Sequence, residues 1–259
     1  MQAERGFVIL ASNTETTDYV RCAAQLARSL RLWSQYPVCI VTNDPVPADT
    51  FDYVVPWPRA LLPNAFANDW QAWLASPFRQ TIKLESDMLI TSNIDHWWDM
   101  MQLNDVVVST GARDYRDQTA TSRYYRKTFD QNNLPDVYNA ITYWRLSRTA
   151  QEFFDIVRSI FEHWDNYKTL LKFPDEVPTT DLVYAMAAQI IGPDRVTQPW
   201  AAYPRMVHMK QHIVASVTRD WTQEFVWEHH QGRLKINTVT QWGAFHYNIK
   251  DWNPYERNN

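Results

Sequence analysis

Near the N-terminus, apolar residues first form a run, then recur at helical spacing, and then form a run again. The two runs cover residues 7–12 and 38–42 and predict two strands. Between them, residues 18–33 predict a helix that ends before Pro37. The apolar positions of this helix are Val20, Ala23, Ala24, Ala27 and Leu30. A strand, a helix and a second strand open nucleotide-binding α/β folds, but the chain has no G-x-G-x-x-G segment, so a dinucleotide site is not expected.

Further along the chain, strands and helices continue to alternate. Short apolar or alternating runs predict strands at residues 51–57, 81–84, 88–90, 104–109 and 137–144. Helical spacing and start signals predict helices at residues 69–76, 94–101 and 182–191, and one from Ser147 or Thr149 to about residue 171. Near the C-terminus, residues 225–230 and 234–239 flank Gln231, Gly232 and Arg233 and predict a hairpin. These elements predict one α/β domain without an internal repeat.

The composition is that of an ordinary globular domain, apart from its many tryptophans. With 259 residues and a net charge of −4, the chain is long enough for a substantial core and is not a generally polycationic nucleic-acid binder. Cys22 and Cys39 fit neither a disulfide framework nor a zinc site, so we expect buried thiols. No segment has transmembrane length and the N-terminus lacks a signal-peptide pattern, so we expect a cytoplasmic protein with no membrane partner. The 13 Trp residues fit either a Trp-rich core or exposed stacking surfaces.

The candidate chemistry concentrates in residues 80–99, which read QTIKLESDMLITSNIDHWWD. Glu85 and Asp87 stand one residue apart, directly after a predicted buried strand. Two carboxylates in that position are costly unless a cation pairs with them, and Mg²⁺ and Mn²⁺ prefer carboxylate and phosphate oxygens. The alternative is a strand that ends in solvated acids.

This segment resembles the D-x-D segment of glycogenin-like, retaining glycosyltransferases of the GT-A fold. Glu85 stands in place of the family's first Asp, Asp87 is kept, and residues 93–95 match the family's N-I-D. The resemblance implies a single GT-A, Rossmann-like α/β domain with a mixed central sheet flanked by helices. It places the nucleotide-binding half in residues 1–110, and the acceptor side with the metal-closing C-terminus in residues 111–259. The family's carboxylates hold Mn²⁺ or Mg²⁺, which bridges the diphosphate of a nucleotide-sugar.

The resemblance extends to the donor site. A UDP-sugar is the implied donor, and its implied contacts are Ala11, Ser12, Asn13, Tyr19, Arg79, Ser86 and Lys250. Asn139 and Asp181 are implied beside the anomeric carbon, and His246 is implied as the third metal ligand, since GAFHYNIKDW resembles the family's closing H-Y-x-G-x-x-K-P-W. From the residues alone, Tyr19 is equally a half-buried helix residue, Arg79 a surface ion-pair partner and Asp181 an acid at a helix start.

Residues 111–130 mix basic and aromatic side chains. The basic residues are Arg113, Arg116, Arg123, Arg126 and Lys127. Over residues 113–127, five positive and two negative side chains leave a net charge of +3 within an acidic protein. Such a segment suits a nucleic-acid backbone with stacking bases, so these five residues are the expected acceptor contacts if the acceptor is DNA. The alternative is a solvated loop.

With this segment, the chain also resembles the bacteriophage glycosyltransferases that decorate hydroxymethylated cytosine in DNA with glucose or arabinose. The resulting hypothesis is a metal-dependent hexosyl- or pentosyltransferase that retains the anomeric configuration and uses DNA as acceptor in the host cytoplasm. Two alternatives stay open. One is a transferase acting on a bacterial glycan or protein, and the other is a non-catalytic protein that binds a nucleotide-sugar or nucleic acid.

Overall fold

The computed structural model describes residues 3–119, 126–174, 176–197 and 204–256. Its strands are β1 Arg5–Leu10, β2 Val38–Val41, β3 Tyr53–Val55, β4 Gln80–Leu84, β5 Met88–Ile90, β6 Val106–Thr110, β7 Val137–Arg145, β8 Met206–His208, β9 Trp227–His230, β10 Arg233–Ile236, β11 Val239–Thr240 and β12 Ala244–His246. Its helices are α1 Tyr19–Trp33, α2 Ala72–Ala75, α3 His96–Met101, α4 Lys127–Gln131, α5 Arg148–Glu162, α6 Trp164–Leu171, α7 Thr180–Ile191, α8 Pro193–Val196, α9 Gln211–Val214 and α10 Trp221–Glu224. A 3-10 helix, Ala65–Gln71, precedes α2.

A mixed six-stranded sheet forms the centre of the molecule, with strand order β3-β2-β1-β4-β7-β6. Strand β1 pairs with β2 and β4, and β2 pairs with β3, and all three pairs are parallel. Strand β7 runs antiparallel to both β4 and β6. The inner strands read as short apolar runs because helices cover both faces of the sheet. The predicted α/β class with a mixed central sheet is therefore confirmed.

The two faces of the sheet bury different core clusters. On one face, Ile82 and Leu84 of β4 pack with Leu30 of α1 and Trp98 of α3. On the other face, Val8 of β1 belongs to the cluster formed by α5, α7 and the 3-10 helix. Side chains alternate along a strand, and Lys83 is the register partner of Val8 across the parallel β1–β4 pair. Lys83 thus faces the layer formed by α5 and α7.

Two small sheets complete the C-terminal part of the described chain. Strands β5, β12 and β8 form one of them, with β12 antiparallel to β5 and parallel to β8. Strands β9 and β10 form the predicted hairpin, whose two-residue loop is Gln231 and Gly232. Both loop residues have positive φ, 49° and 78°, as a type I′ hairpin turn requires. Arg233, predicted in the turn, is the first residue of β10.

Several helix boundaries differ from the sequence expectation, including the helix predicted at residues 69–76, which is the 3-10 helix Ala65–Gln71 followed by α2. Of the two predicted caps, Ser147 and Thr149, Ser147 caps α5, since its hydroxyl accepts a hydrogen bond from the backbone N–H of Ala150. The predicted single helix to about residue 171 is wrong, because it breaks at His163, whose φ and ψ of −120° and 30° are not helical. The break lets Trp164 turn inward and stack on Phe173 at 5.5 Å between ring centroids. Helix α7 begins two residues before the predicted Leu182.

Most tryptophans belong to the core rather than to stacking surfaces. The buried ones are Trp70, Trp97, Trp98, Trp144, Trp164, Trp221 and Trp252, whereas Trp242 is 51 % exposed. Cys22 and Cys39 are free and buried, as predicted. Within the described ranges, no helix is both long and apolar enough to cross a bilayer.

Candidate active site

Glu85, Asp87 and His246 meet at the end of the central strand β4. Glu85 follows β4 directly, and its N–H donates to the Ala140 carbonyl of β7. His246 ends β12, where it is the register partner of Met88 in β5. The pairing of β5 with β12 therefore places the imidazole of His246 next to the carboxylates of Glu85 and Asp87. His246 Nε2 lies 2.8 Å from Asp87 Oδ2 and 3.3 Å from Glu85 Oε2.

The charges of this cluster are strongly coupled. Burial alone would raise the pKa of Asp87, but His246 and Lys250 outweigh it and hold that pKa well below its usual range. Lys250 Nζ contacts the same Asp87 oxygen that His246 approaches. Burial raises the pKa of Glu85, opposed by His246 and assisted by the charge of Asp87. Two acids in one small space thus compete for the same positive neighbours.

The donor atoms of the cluster fit a divalent cation. One ligand atom from each of Glu85, Asp87 and His246 can be chosen so that all lie within 4.8 Å of one another. Two carboxylate oxygens and one imidazole nitrogen suit Mn²⁺ or Mg²⁺, with the remaining positions left for ligand oxygens and water. When bound, such a cation offsets negative charge on a diphosphate.

A cavity of about 500 Å³ opens beside this cluster. It lies where the carboxyl ends of β1 and β4 meet the loops, which is the usual ligand position in open α/β sheets. Lys210 and Lys250 supply positive charge to its wall, and Tyr19 and Trp57 supply aromatic surface. His208 also lines it and stacks on His246, with ring centroids 4.4 Å apart and planes at 2°. The cavity therefore offers both charged and apolar contacts to a ligand.

A second polar network, built around Asp69 and Asp181, lines the same cavity. Asp69 accepts hydrogen bonds from Lys83 at 2.6 Å and from Asn139 at 3.0 Å. The backbone N–H of Asn139 donates to Asp181 at 2.8 Å, and Arg126 donates to the other oxygen of Asp181 at 3.0 Å. Asp69, Lys83, Asn139 and Asp181 all line the cavity. Asn139 and Asp181, expected beside the anomeric carbon, thus lie side by side.

The predicted donor contacts separate into two groups. The structure brings most of them to the cavity: Ala11, Ser12, Tyr19, Ser86 and Lys250. Asn13 is not among its lining residues, because its side chain accepts the N–H of Val20 at the start of α1 and its own N–H donates to Asp44. The expectation that Arg79 reaches the donor is corrected. Arg79 precedes β4, at the opposite end of that strand from Glu85, and forms a 3.4 Å surface ion pair with Glu4.

The predicted acceptor contacts do not form one basic surface. Arg116 pairs with Asp114 at 2.8 Å, and Arg113 pairs at 3.2 Å with Asp117, which Arg205 also contacts at 2.8 Å. Arg126 is 1 % exposed and is corrected from a surface contact to a buried one. Lys127 is exposed at the start of α4. Arg123 lies outside the described residues.

Sequence reasoning missed several residues of the cavity. Asp69, Lys83, His208 and Lys210 line it, yet none stood out in the sequence. Only Lys83 carried a usable signal, because a lysine inside a strand that reads as buried needs a partner. That partner, Asp69, precedes it by 14 residues and belongs to a different element.

Comparison with known proteins gives one distant structural similarity. No family model and no curated protein matches the chain. A solved structure described as "WbbM bifunctional glycosytransferase apo structure" is similar with a TM-score of 0.43 and 13 % identity over 77 % of this chain. The chain spans 39 % of that protein's length. A similarity of this degree carries no argument. The functional proposal therefore rests on the geometry of the site.

Proposed function

We propose that the chain is a metal-dependent glycosyltransferase of the GT-A type that uses a nucleotide-sugar donor. The observation that carries this proposal is the meeting of Glu85, Asp87 and His246 at the rim of a 500 Å³ cavity. A cation site beside a cavity with lysines suits a diphosphate, and a cavity with carboxylates and an amide suits a sugar. Both requirements of a nucleotide-sugar are met within one cavity.

The reaction breaks the bond between the anomeric carbon and the diphosphate oxygen and forms a bond from that carbon to the acceptor oxygen. The hydroxyl proton and the nucleoside diphosphate are released. Lys250 lies beside Asp87 and lines the cavity, so its ammonium group is placed to stabilise the charge on the departing diphosphate. Asp181 and Asn139 position the sugar. A UDP-sugar as donor, a hexose or pentose as the transferred group and retention of configuration are parts of the proposal that follow from the sequence resemblance.

UDP is expected to raise the melting temperature only when Mn²⁺ or Mg²⁺ is present, because the cation joins the protein to the diphosphate. At UDP concentrations near 100 times the dissociation constant, the stabilisation is about 2.7 kcal/mol, or a shift of about 5–10 °C. His246→Ala removes one ligand and should reduce this shift, measured by thermal denaturation with UDP, metal and EDTA in turn.

The matched control is His230→Ala, which alters an exposed histidine of β9. It should leave the metal-dependent shift at the wild-type value. An equal UDP shift in excess EDTA would show a metal-independent site and would contradict the proposal.

For the acceptor, we propose 5-hydroxymethylcytosine in phage DNA. Two backbone hydrogen bonds support a position for Arg113 near the acceptor. The N–H of Arg113 donates to the Met206 carbonyl, and the N–H of His208 donates to the Arg113 carbonyl. Met206 and His208 belong to β8 and line the cavity. The ion pairs of Arg113 and Arg116 weaken the electrostatic part of this proposal. Arg116, which is about half exposed, and Lys127 are the described members of the basic segment best placed to reach a phosphate.

Replacing Arg116 and Lys127 together by Ala is expected to weaken duplex binding and to reduce its salt dependence by about one unit of slope per lost phosphate contact. Binding is measured against salt, using duplexes with and without hydroxymethylcytosine. Arg148→Ala, which alters an exposed arginine of α5, is the control. If the wild type shows no DNA affinity at low salt, or the double variant keeps the full slope, the acceptor is a glycan or a protein.

A further inference from the structure

Lys83 is a lysine buried in the central strand of the main sheet. Its side chain is 2 % exposed, and it faces the layer formed by α5, α7 and the 3-10 helix. Its ammonium group pairs with Asp69 at 2.6 Å and lies 5.6 Å from the ring centroid of Tyr184. Lys83 also lines the cavity, so a buried positive charge borders the space that a ligand enters. Burying a lysine in a central strand is costly, and fold stability alone gives no reason for it.

In the pair formed by Lys83 and Asp69, the lysine keeps unused hydrogen-bond donors, whereas most acceptor positions of the carboxylate are occupied. An ammonium group has three N–H donors, and Lys83 makes one hydrogen bond, to Asp69 Oδ2, among the described residues. Asp69 is more fully used. Its Oδ2 receives Lys83, and its Oδ1 receives both the hydroxyl of Tyr184 and the amide of Asn139. Asp69 therefore holds the ammonium group in place, while the remaining donors of Lys83 await oxygen atoms from a ligand.

The other charges of the cavity decide what kind of ligand oxygen fits. Asp69 and Asp181 border the same cavity as Lys83 and would repel a carboxylate brought in by an acidic sugar. A neutral sugar hydroxyl meets no such repulsion, because its oxygen accepts from Lys83 while its hydrogen donates to a carboxylate such as Asp181. Hydroxyl groups thus satisfy both kinds of protein group at once.

We propose that Lys83 is a specificity-determining contact that donates hydrogen bonds to the hydroxyl oxygens of a neutral donor sugar. This inference rests on the proposed glycosyltransferase function and adds to it the class of sugar and the residue that selects it. Asp69 is a positioning residue that acts through Lys83. The nucleotide and its diphosphate belong to the Glu85, Asp87 and His246 end of the cavity, which Lys83 influences through its charge near Glu85 rather than by a hydrogen bond.

The test separates sugar binding from nucleotide binding. Dissociation constants are measured by calorimetry with Mn²⁺ for UDP, UDP-glucose, UDP-galactose, UDP-arabinose and UDP-glucuronate. For the neutral UDP-sugar that binds the wild type most tightly, Lys83→Met should raise the dissociation constant about 10- to 100-fold, which is the effect of losing a hydrogen bond to a charged group. The dissociation constant for UDP should change much less than that for the neutral UDP-sugar. The wild type should bind UDP-glucuronate more weakly than the neutral sugars.

Tyr184→Phe is the matched control. It removes a hydroxyl from the same network by changing a residue that is buried and does not line the cavity. This variant should keep the wild-type ratio between the dissociation constants for UDP and for the neutral UDP-sugar. Where Lys83→Met alone fails to fold because Asp69 loses its cation, the double variant Lys83→Met with Asp69→Asn removes both charges and takes its place.

The outcomes separate this inference from the proposed function. If the variant binds UDP and the neutral UDP-sugar in the wild-type ratio, Lys83 does not read the sugar and the inference fails alone. If UDP-glucuronate binds the wild type most tightly, the neutral-sugar assignment is overturned. If the wild type binds neither UDP nor any of the UDP-sugars with Mn²⁺, the proposed function fails and this inference fails with it.

Discussion

Asp87→Asn is expected to lower metal-dependent release of UDP from a UDP-sugar by at least about 100-fold, equivalent to about 2.7 kcal/mol of transition-state stabilisation. The Asp87 side chain is 5 % exposed and meets both His246 and Lys250. Asparagine keeps its shape and one oxygen but removes the negative charge that draws a cation to this position. Release of UDP is the readout because water can replace an unidentified acceptor.

The control for this prediction is Asp99→Asn, which neutralises a 75 % exposed acid of α3. It should release UDP at the wild-type rate, and circular dichroism should show that both variants are folded. Near-wild-type release by Asp87→Asn would remove the metal-site hypothesis. No release by the wild type with any UDP-sugar would favour the alternative of a non-catalytic binding protein.

The opening strand, helix and strand could be predicted because local patterns determine them. Runs of apolar residues indicate strands buried on both faces, and the structure has β1, α1 and β2 close to the expected places. The cap at Ser147 was equally readable, since capping depends on neighbouring residues. The break at His163 was not readable, because it depends on where Trp164 finds its partner Phe173.

The candidate site could be predicted only in part. Glu85 and Asp87 are separated by one residue, but His246 is 159 residues away from Asp87, and only the resemblance suggested that His246 and Asp87 meet. The resemblance implies a basic donor contact shortly before Glu85, and Arg79 matches it by sequence position. A five-residue strand separates the two residues, and six steps of extended chain place their Cα atoms about 20 Å apart. Sequence position therefore selected the wrong basic residue. Arg79 does not line the cavity, whereas Lys83, two residues before Glu85, does.

The basic segment shows a second limit of sequence reasoning. Arg126 reads as one more surface cation beside Lys127, but its partner Asp181 is 55 residues away and could not be inferred from the segment itself. A count of charges treats buried and exposed arginines alike. The structure separates them, since Arg126 is enclosed and Lys127 is exposed. Two neighbouring basic residues should therefore respond very differently to the same substitution.

Arg126→Ala is expected to lower the free energy of unfolding by about 3 kcal/mol, near the lower end of the range for breaking a buried ion pair. The guanidinium group pairs with Asp136 at 2.8 Å and with Asp181 at 3.0 Å. It also lies between the rings of Phe129 and Tyr138, 3.8 and 4.0 Å from their centroids. The lower end applies because the two carboxylates are 32 % and 23 % exposed, so water partly replaces the lost partner. Urea denaturation measures the change.

Lys127→Ala, one residue further on and exposed, is the matched control and should change the free energy of unfolding by no more than about 0.5 kcal/mol. Arg126→Lys should recover only part of the loss, because a lysine cannot span both carboxylates and stack between two rings in the same way. Since Asp181 borders the cavity, Arg126→Lys should also reduce UDP release while leaving the affinity for UDP unchanged. Equal stabilities for the Arg126→Ala and Lys127→Ala variants would show that the guanidinium is not enclosed, and would return Arg126 to the exposed basic surface.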